Sequence, residues 1–82
     1  MKAGAVRKVA KAYSIEQIDA GIEAITEREE EILEVDGDDM GERLTHLLLG
    51  RRVRSRVDAG EDLKTAFRAE MGAVRGTLKN AE

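Results

Sequence analysis

The residues that could do chemistry in this chain are few, and their spacing assembles no catalytic group. His46 is the only histidine, and cysteine is absent. Nucleophilic catalysis requires a serine or cysteine beside a base. Ser14 falls at a helix-capping position, and Ser55 lies more than two helical turns from His46. The carboxylates fall on predicted surfaces, away from apolar neighbours that would shift a pKa. We therefore predict no catalytic residue, no cofactor and no enzymatic activity.

His46 and Glu42 are the candidates for a specific metal site, whereas the acidic residues 36–42 lack the ligand pattern of a calcium loop and would bind cations only weakly and nonspecifically. Glu42 precedes His46 by four residues, so the two side chains would lie one turn apart on a helix. Di-iron bundles instead use glutamate and histidine three residues apart, with further carboxylates facing inward. A second histidine would have to come from a symmetry mate. We predict no metal site within one chain and keep an intersubunit His46/Glu42 site as a third hypothesis.

The charges are segregated along the chain, although the net charge is only −3. The acidic stretch, residues 27–42, carries nine acids and one base. Basic residues flank it on both sides, and complementary blocks can pair within a fold or across an interface. We therefore predict that the acidic stretch lies near one of the two basic blocks. Those blocks consist of Lys2, Arg7, Lys8 and Lys11, and of Arg51, Arg52, Arg54 and Arg56.

These basic blocks also suggest an alternative function, association with nucleic acid through the basic N-terminal helix and the arginines of 51–56. Nucleic-acid-binding domains concentrate such charge on one face and carry an excess of bases. Here the arginines point around much of a predicted helix, and the chain is acidic overall. No apolar run approaches the roughly 18 residues of a membrane span. We expect a cytoplasmic protein without a nucleic-acid or membrane partner.

The composition and the hydrophobic periodicity predict an all-α, four-helix domain. Tyr13 and Phe67 are the only aromatic residues, so the core must be aliphatic, which suits helices better than sheets. Ser14 and Gln17 have the spacing of a capping box. Between the second and third helices, the apolar residues of 31–36 do not follow the helical spacing. We therefore predict an irregular acidic connection there, with a possible short extended arm. Apolar spacing places the helices at about 2–12, 15–27, 39–58 and 62–79, in a single domain of residues 1–82.

The third predicted helix carries two opposed apolar stripes. Met40, Leu44, Leu47 and Leu48 share one face, which we predict to be core. A surface helix needs only one such stripe, and a chain this short commonly gains stability from a partner subunit. We therefore assign the second stripe to an interface in a homo-oligomeric helical bundle, with a dimer favoured and Gly50 permitting close approach beside it. The second stripe consists of His46, Leu49, Val53 and Val57.

Five short segments follow one another in a recognisable order over nearly the whole chain. They are Tyr13-Ser14-Ile15-Glu16, Glu34-Val35-Asp36-Gly37-Asp38-Asp39, Gly41-Glu42-Arg43-Leu44-Thr45-His46, Leu63-Lys64-Thr65-Ala66 and Val74-Arg75. In this order the chain resembles a family of short uncharacterised bacterial proteins of unknown function. The resemblance implies no activity, but it implies that residues 1–15 belong to the domain. We expect a non-catalytic, homo-oligomeric interaction or regulatory protein with an unidentified protein partner.

Overall fold

The chain folds into four α-helices joined by short connections and one long one. The computed structural model describes the backbone of residues 1–80 and the side chains of residues 1–74. Over that part of the chain there is no strand, so the predicted all-α, four-helix fold is confirmed. Each helix end lies within one residue of its predicted position. The helices are α1 (Ala3–Ala12), α2 (Ile15–Arg28), α3 (Met40–Asp58) and α4 (Leu63–Asn80).

Side-chain caps explain where the last three helices begin. The Ser14 hydroxyl accepts a hydrogen bond from the Gln17 backbone N–H at 3.2 Å, and the Gln17 side chain accepts one from the Ser14 N–H at 2.9 Å. This is the predicted capping box at the start of α2. Asp39 and Asp62 each accept from the backbone N–H three residues further on, at 2.8 Å, and so cap α3 and α4.

The connection, residues 29–39, is irregular but is packed onto the helices. Its residues 31–36 form neither a helix nor a strand, so the extended arm considered from the sequence is not a sheet element. Leu33 and Val35 pack against the buried residues of α1, α2 and α3. Gly21 of α2 is buried beneath the connection, and a Cβ added there would lie 2.7 Å from Leu33 Cδ1. The connection is therefore seated closely on α2, and a larger residue at position 21 would require the Leu33 side chain to shift.

Helix α3 is the centre of the fold. It packs against α1, α2 and α4, whereas α2 and α4 have no extensive contact with each other. The molecule is consequently flat, with extents of 34 × 32 × 18 Å. Two buried clusters lie on different sides of α3. One consists of Val6, Ala10, Val53, Ala66 and Met71, and the other of Val9, Ile18, Ile25 and Leu47.

The second apolar stripe of α3 is covered within the chain itself. Val53 is fully buried, and Leu49 and Val57 pack against the cluster that α1 and α4 complete. The sequence correctly indicated burial on two sides, but the covering helices belong to the same chain. The assignment of this stripe to a subunit interface therefore loses its physical basis. Gly50 permits the predicted close approach, since a Cβ there would lie 2.8 Å from the Cβ of Val9 in α1.

Candidate functional site

His46 forms a junction between the start of α1 and the connection. The imidazole is fully buried. Its Nε2 lies 3.0 Å from the Lys2 backbone nitrogen, and its Nδ1 lies 2.6 Å from the Asp36 carbonyl oxygen. A carbonyl only accepts and a backbone N–H only donates, so the proton belongs on Nδ1 and Nε2 accepts. His46 is thus a neutral structural bridge rather than a residue of an intersubunit face.

The hydrogen bonds of His46 and Glu42 argue against the two side chains acting together as metal ligands. Both imidazole nitrogens of His46 already have hydrogen-bond partners. The Glu42 carboxylate accepts from the Asp38 backbone N–H at 3.0 Å and lies 3.5 Å from the Met1 amino nitrogen. Among the residues with described side chains, no group of three or more histidines and carboxylates converges in a manner that would hold a metal ion. The metal hypothesis therefore lacks a free nitrogen ligand.

The basic N-terminal segment holds the acidic connection by ion pairs. Lys2 Nζ lies 3.2 Å from an Asp38 oxygen, and Lys8 Nζ lies 2.9 Å from an Asp36 oxygen. The hydrogen bond between Lys8 and Asp36 lowers the pKa of Asp36 and raises that of Lys8. The hydrogen bond to Asp38 likewise raises the pKa of Lys2. The prediction that the acidic stretch lies near the basic N-terminal helix is confirmed.

Two further side chains anchor the connection. Arg43 of α3 donates to both carboxylate oxygens of Glu31 and, at 2.8 Å, to the Gly37 carbonyl. The hydrogen bond from Arg43 lowers the pKa of Glu31. At the end of α1, the Tyr13 hydroxyl donates to the Glu34 carbonyl oxygen at 2.9 Å. The connection is therefore held from both α1 and α3, even though it has no regular structure.

A groove of about 490 Å³ lies between α1 and the connection. Its volume is within the roughly 300–1,000 Å³ of small-molecule sites. This groove was not predicted from the sequence, because it forms only where the irregular connection docks on α1. The signal was the spacing of Ala5, Val9 and Ala12, which gives the helix a second face of small and apolar residues. The groove is lined by Ala5, Lys8, Val9, Lys11, Ala12, Tyr13, Glu34, Val35 and Asp36.

The four arginines of 51–56 all form ion pairs inside the chain rather than with the acidic stretch. Arg51 pairs with Asp19 of α2, and Arg54 lies 2.9 Å from Asp58. The remaining two, Arg52 and Arg56, both donate to Glu70 of α4. Arg56 also pairs with Glu61, so carboxylates of the same chain balance the second of the two basic blocks on which the nucleic-acid alternative depended.

Glu70 corrects the expectation that the carboxylates lie on surfaces. Its side chain is only 6% exposed. Burial raises the pKa of a carboxylate, but the hydrogen bonds and charges of Arg56 and Arg52 outweigh burial, and the pKa of Glu70 lies below its ordinary value of 4.5. The sequence contained a signal for this residue. Glu70 falls three residues after Phe67 and four before Val74, in the middle of the apolar stripe of α4.

We predict that Glu70→Gln destabilises the fold at neutral pH and that the effect fades in acid. A depressed native pKa stabilises the fold above about pH 4.5, and this stabilisation is lost as the pH falls through the native pKa of Glu70. We expect a loss of about 1–2 kcal/mol at pH 7, allowing for the solvent exposure of Arg52. Urea denaturation of wild type and variant at pH 7 and pH 3 tests this. An equal difference at both pH values would contradict an ionised Glu70.

One face of α3 is not covered by the other helices. Over residues 41–57 its exposed positions recur at intervals of four, three, four and three, so they share one face. Leu48, at the centre, is 46% exposed, which corrects its assignment to the core. Arg52 on this face is neutralised by Glu70. The uncovered face of α3 consists of Gly41, Thr45, Leu48, Arg52 and Ser55.

Comparisons with known proteins give a family but no activity. Among the described residues, none of the helices combines the length and the apolarity that crossing a bilayer requires. No curated protein and no solved structure matches the chain. The model of a family of unknown function, DUF6952, matches residues 1–79. Because this match covers almost the whole sequence, the chain belongs to that family of unknown function.

Proposed function

We propose that the protein is a non-catalytic interaction protein that acts as a homodimer through the uncovered face of α3. The observation that carries the proposal is Leu48. It is a large apolar side chain, 46% exposed, at the centre of the one uncovered face of the central helix. We thus retain the self-association expected from the sequence, but we place it on the uncovered face of α3 instead of the second apolar stripe.

The chemistry of the uncovered face suits a second copy of the chain. In a twofold contact the same face is used twice, so any unpaired charge on it would meet its own copy. Arg52 is already neutralised by Glu70, and the other four residues are uncharged. Gly41 and Ser55 are short, which allows two helix backbones to approach closely. The intervals of four and three residues are those of a helix–helix seam.

The flat shape of the molecule supports the same partner. The domain is only 18 Å thick along its shortest axis, and α3 is covered by α1, α2 and α4 but not on its remaining face. From residue 41 to residue 55 this face runs for about 21 Å along the helix. A second copy on this face would enclose α3 completely and remove Leu48 from water. Burial of such an apolar side chain stabilises the contact.

Sedimentation equilibrium on Leu48→Glu tests the proposed dimer. We expect the wild type to dimerise and Leu48→Glu to be monomeric, because the substitution places two like charges at the centre of the contact. Its thermal melt should still be cooperative, since Leu48 is not a core residue. The matched control is Ile32→Glu, which introduces the same charge at a similarly exposed residue of the connection, 48% exposed.

The control should dimerise as the wild type does. A wild type that is monomeric at all accessible concentrations contradicts the proposal. So does a Leu48→Glu variant that assembles normally, or an Ile32→Glu variant that dissociates to the same extent.

A further inference from the structure

We propose that the groove between α1 and the connection binds a small organic anion with an apolar body, such as a medium-chain fatty carboxylate. None of the residues that line the groove belongs to the uncovered face of α3. The binding site is therefore separate from the proposed dimer contact, and neither proposal depends on the other.

The floor of the groove is apolar. Val9, Tyr13 and Val35 are among the lining residues, and Val9, which is 2% exposed, also belongs to the buried core. Ala5 and Ala12 also line the groove, and their small side chains leave room above the helix. Burial of a ligand's alkyl chain here would remove apolar surface from water, which favours binding. This part of the groove recognises the apolar body of the ligand.

The rim of the groove selects the charge of the ligand. Asp36 lies 2.9 Å from Lys8 Nζ, and Glu34 also acts electrostatically on Lys8. Lys8 is thus the cation nearest to both rim carboxylates and forms an ion pair with Asp36. Lys11 also lines the groove, and no carboxylate pairs with it among the described side chains. An anionic head group would supply the missing partner, whereas a cationic one would compete with Lys8 for Asp36 and Glu34.

The walls of the groove are held in place without a ligand. The Tyr13 hydroxyl donates a hydrogen bond to the Glu34 carbonyl at 2.9 Å, and His46 Nδ1 donates one to the Asp36 carbonyl. These two bonds hold the connection at both ends of the segment that faces α1. A site with fixed walls loses less conformational freedom on binding than one that must first order a loop. The geometry is therefore that of a preformed site.

Titrating the ¹⁵N-labelled full chain with octanoate, octanol and octylammonium tests the proposal. The three probes share an alkyl body and differ in charge. We expect octanoate to shift the backbone amide signals of Val9, Ala12, Tyr13 and Val35, and to bind more tightly than octanol or octylammonium. The same signals report the location of binding, so a molecule that binds elsewhere is recognised directly.

Variants of two exposed cations on α1 test the role of charge. Lys11→Gln should weaken octanoate binding about three- to fivefold and leave octanol binding unchanged, the size of effect expected from a solvent-accessible ion pair. Arg7→Gln is the control, because Arg7 is exposed on the same helix but does not line the groove. It should bind octanoate as the wild type does.

Several results would overturn the proposal. Octanoate that causes no shifts at millimolar concentration would show that the groove is not a site for this class of ligand. Chemical-shift changes confined to residues around Leu48 or Ile32 would show that octanoate binds to another surface. Octylammonium binding as tightly as octanoate, or equal weakening by Lys11→Gln and Arg7→Gln, would remove Lys11 as the group that selects an anion.

Discussion

Val53→Glu is expected to prevent the chain from folding, rather than to dissociate an oligomer of folded subunits. Val53 is fully buried in the cluster formed by α1, α3 and α4, beside Val6 and Ala10. An unpaired carboxylate cannot be buried there without a cost of several kcal/mol, in addition to the lost packing of the valine. The total stability of a domain of this size is only about 4–12 kcal/mol. Far-UV circular dichroism should show a largely unfolded chain at 25 °C.

Two comparisons make the Val53 result specific. Val53→Ala removes volume without adding charge, and we expect it to fold with a loss of about 1–3 kcal/mol. Ala3→Glu places the same charge at an exposed position in the first turn of α1 and should melt as the wild type does. If Val53→Glu instead remained folded and became monomeric, the second apolar stripe of α3 would be an interface after all.

His46→Ala is expected to cause the second-largest loss of stability. The substitution leaves the Lys2 backbone N–H and the Asp36 carbonyl without their partner and opens a cavity in the junction. Each buried group that loses its hydrogen bond costs about 1–3 kcal/mol. Partial access of water to the two groups should limit the total to about 3–5 kcal/mol. Urea denaturation at neutral pH measures the loss.

A conservative variant separates the hydrogen bonds of His46 from its packing. Asparagine retains a donor near the position of Nδ1 and should keep the bond to the Asp36 carbonyl, so His46→Asn should lose less stability than His46→Ala. Hydrogen exchange adds a local readout, because both variants should increase exchange at Lys2, whose N–H loses its acceptor. A His46→Ala variant as stable as the wild type would show that the junction does not contribute to folding.

The helices and their ends were predictable because the interactions that define them are local. The apolar spacing of Ile18, Ile22 and Ile25 lies within a few turns, and the Ser14–Gln17 capping box spans three residues. Such signals require no knowledge of the rest of the chain. The pairing of Lys2 and Lys8 with the acidic stretch was predictable only as one of two alternatives. Charge blocks indicate attraction, but the path of the chain decides which of two basic blocks comes near.

By itself, the sequence determined that this protein is all-α, with four helices, and that its third helix is buried on two sides. Only the tertiary structure decided that α1 and α4 cover Val53, that Arg52 and Arg56 meet on Glu70, and that the connection closes a groove over α1. The physical reason is that hydrophobic periodicity indicates which side of a helix is buried, but not which other element buries it. That choice depends on how the helices cross and on where the irregular connection docks.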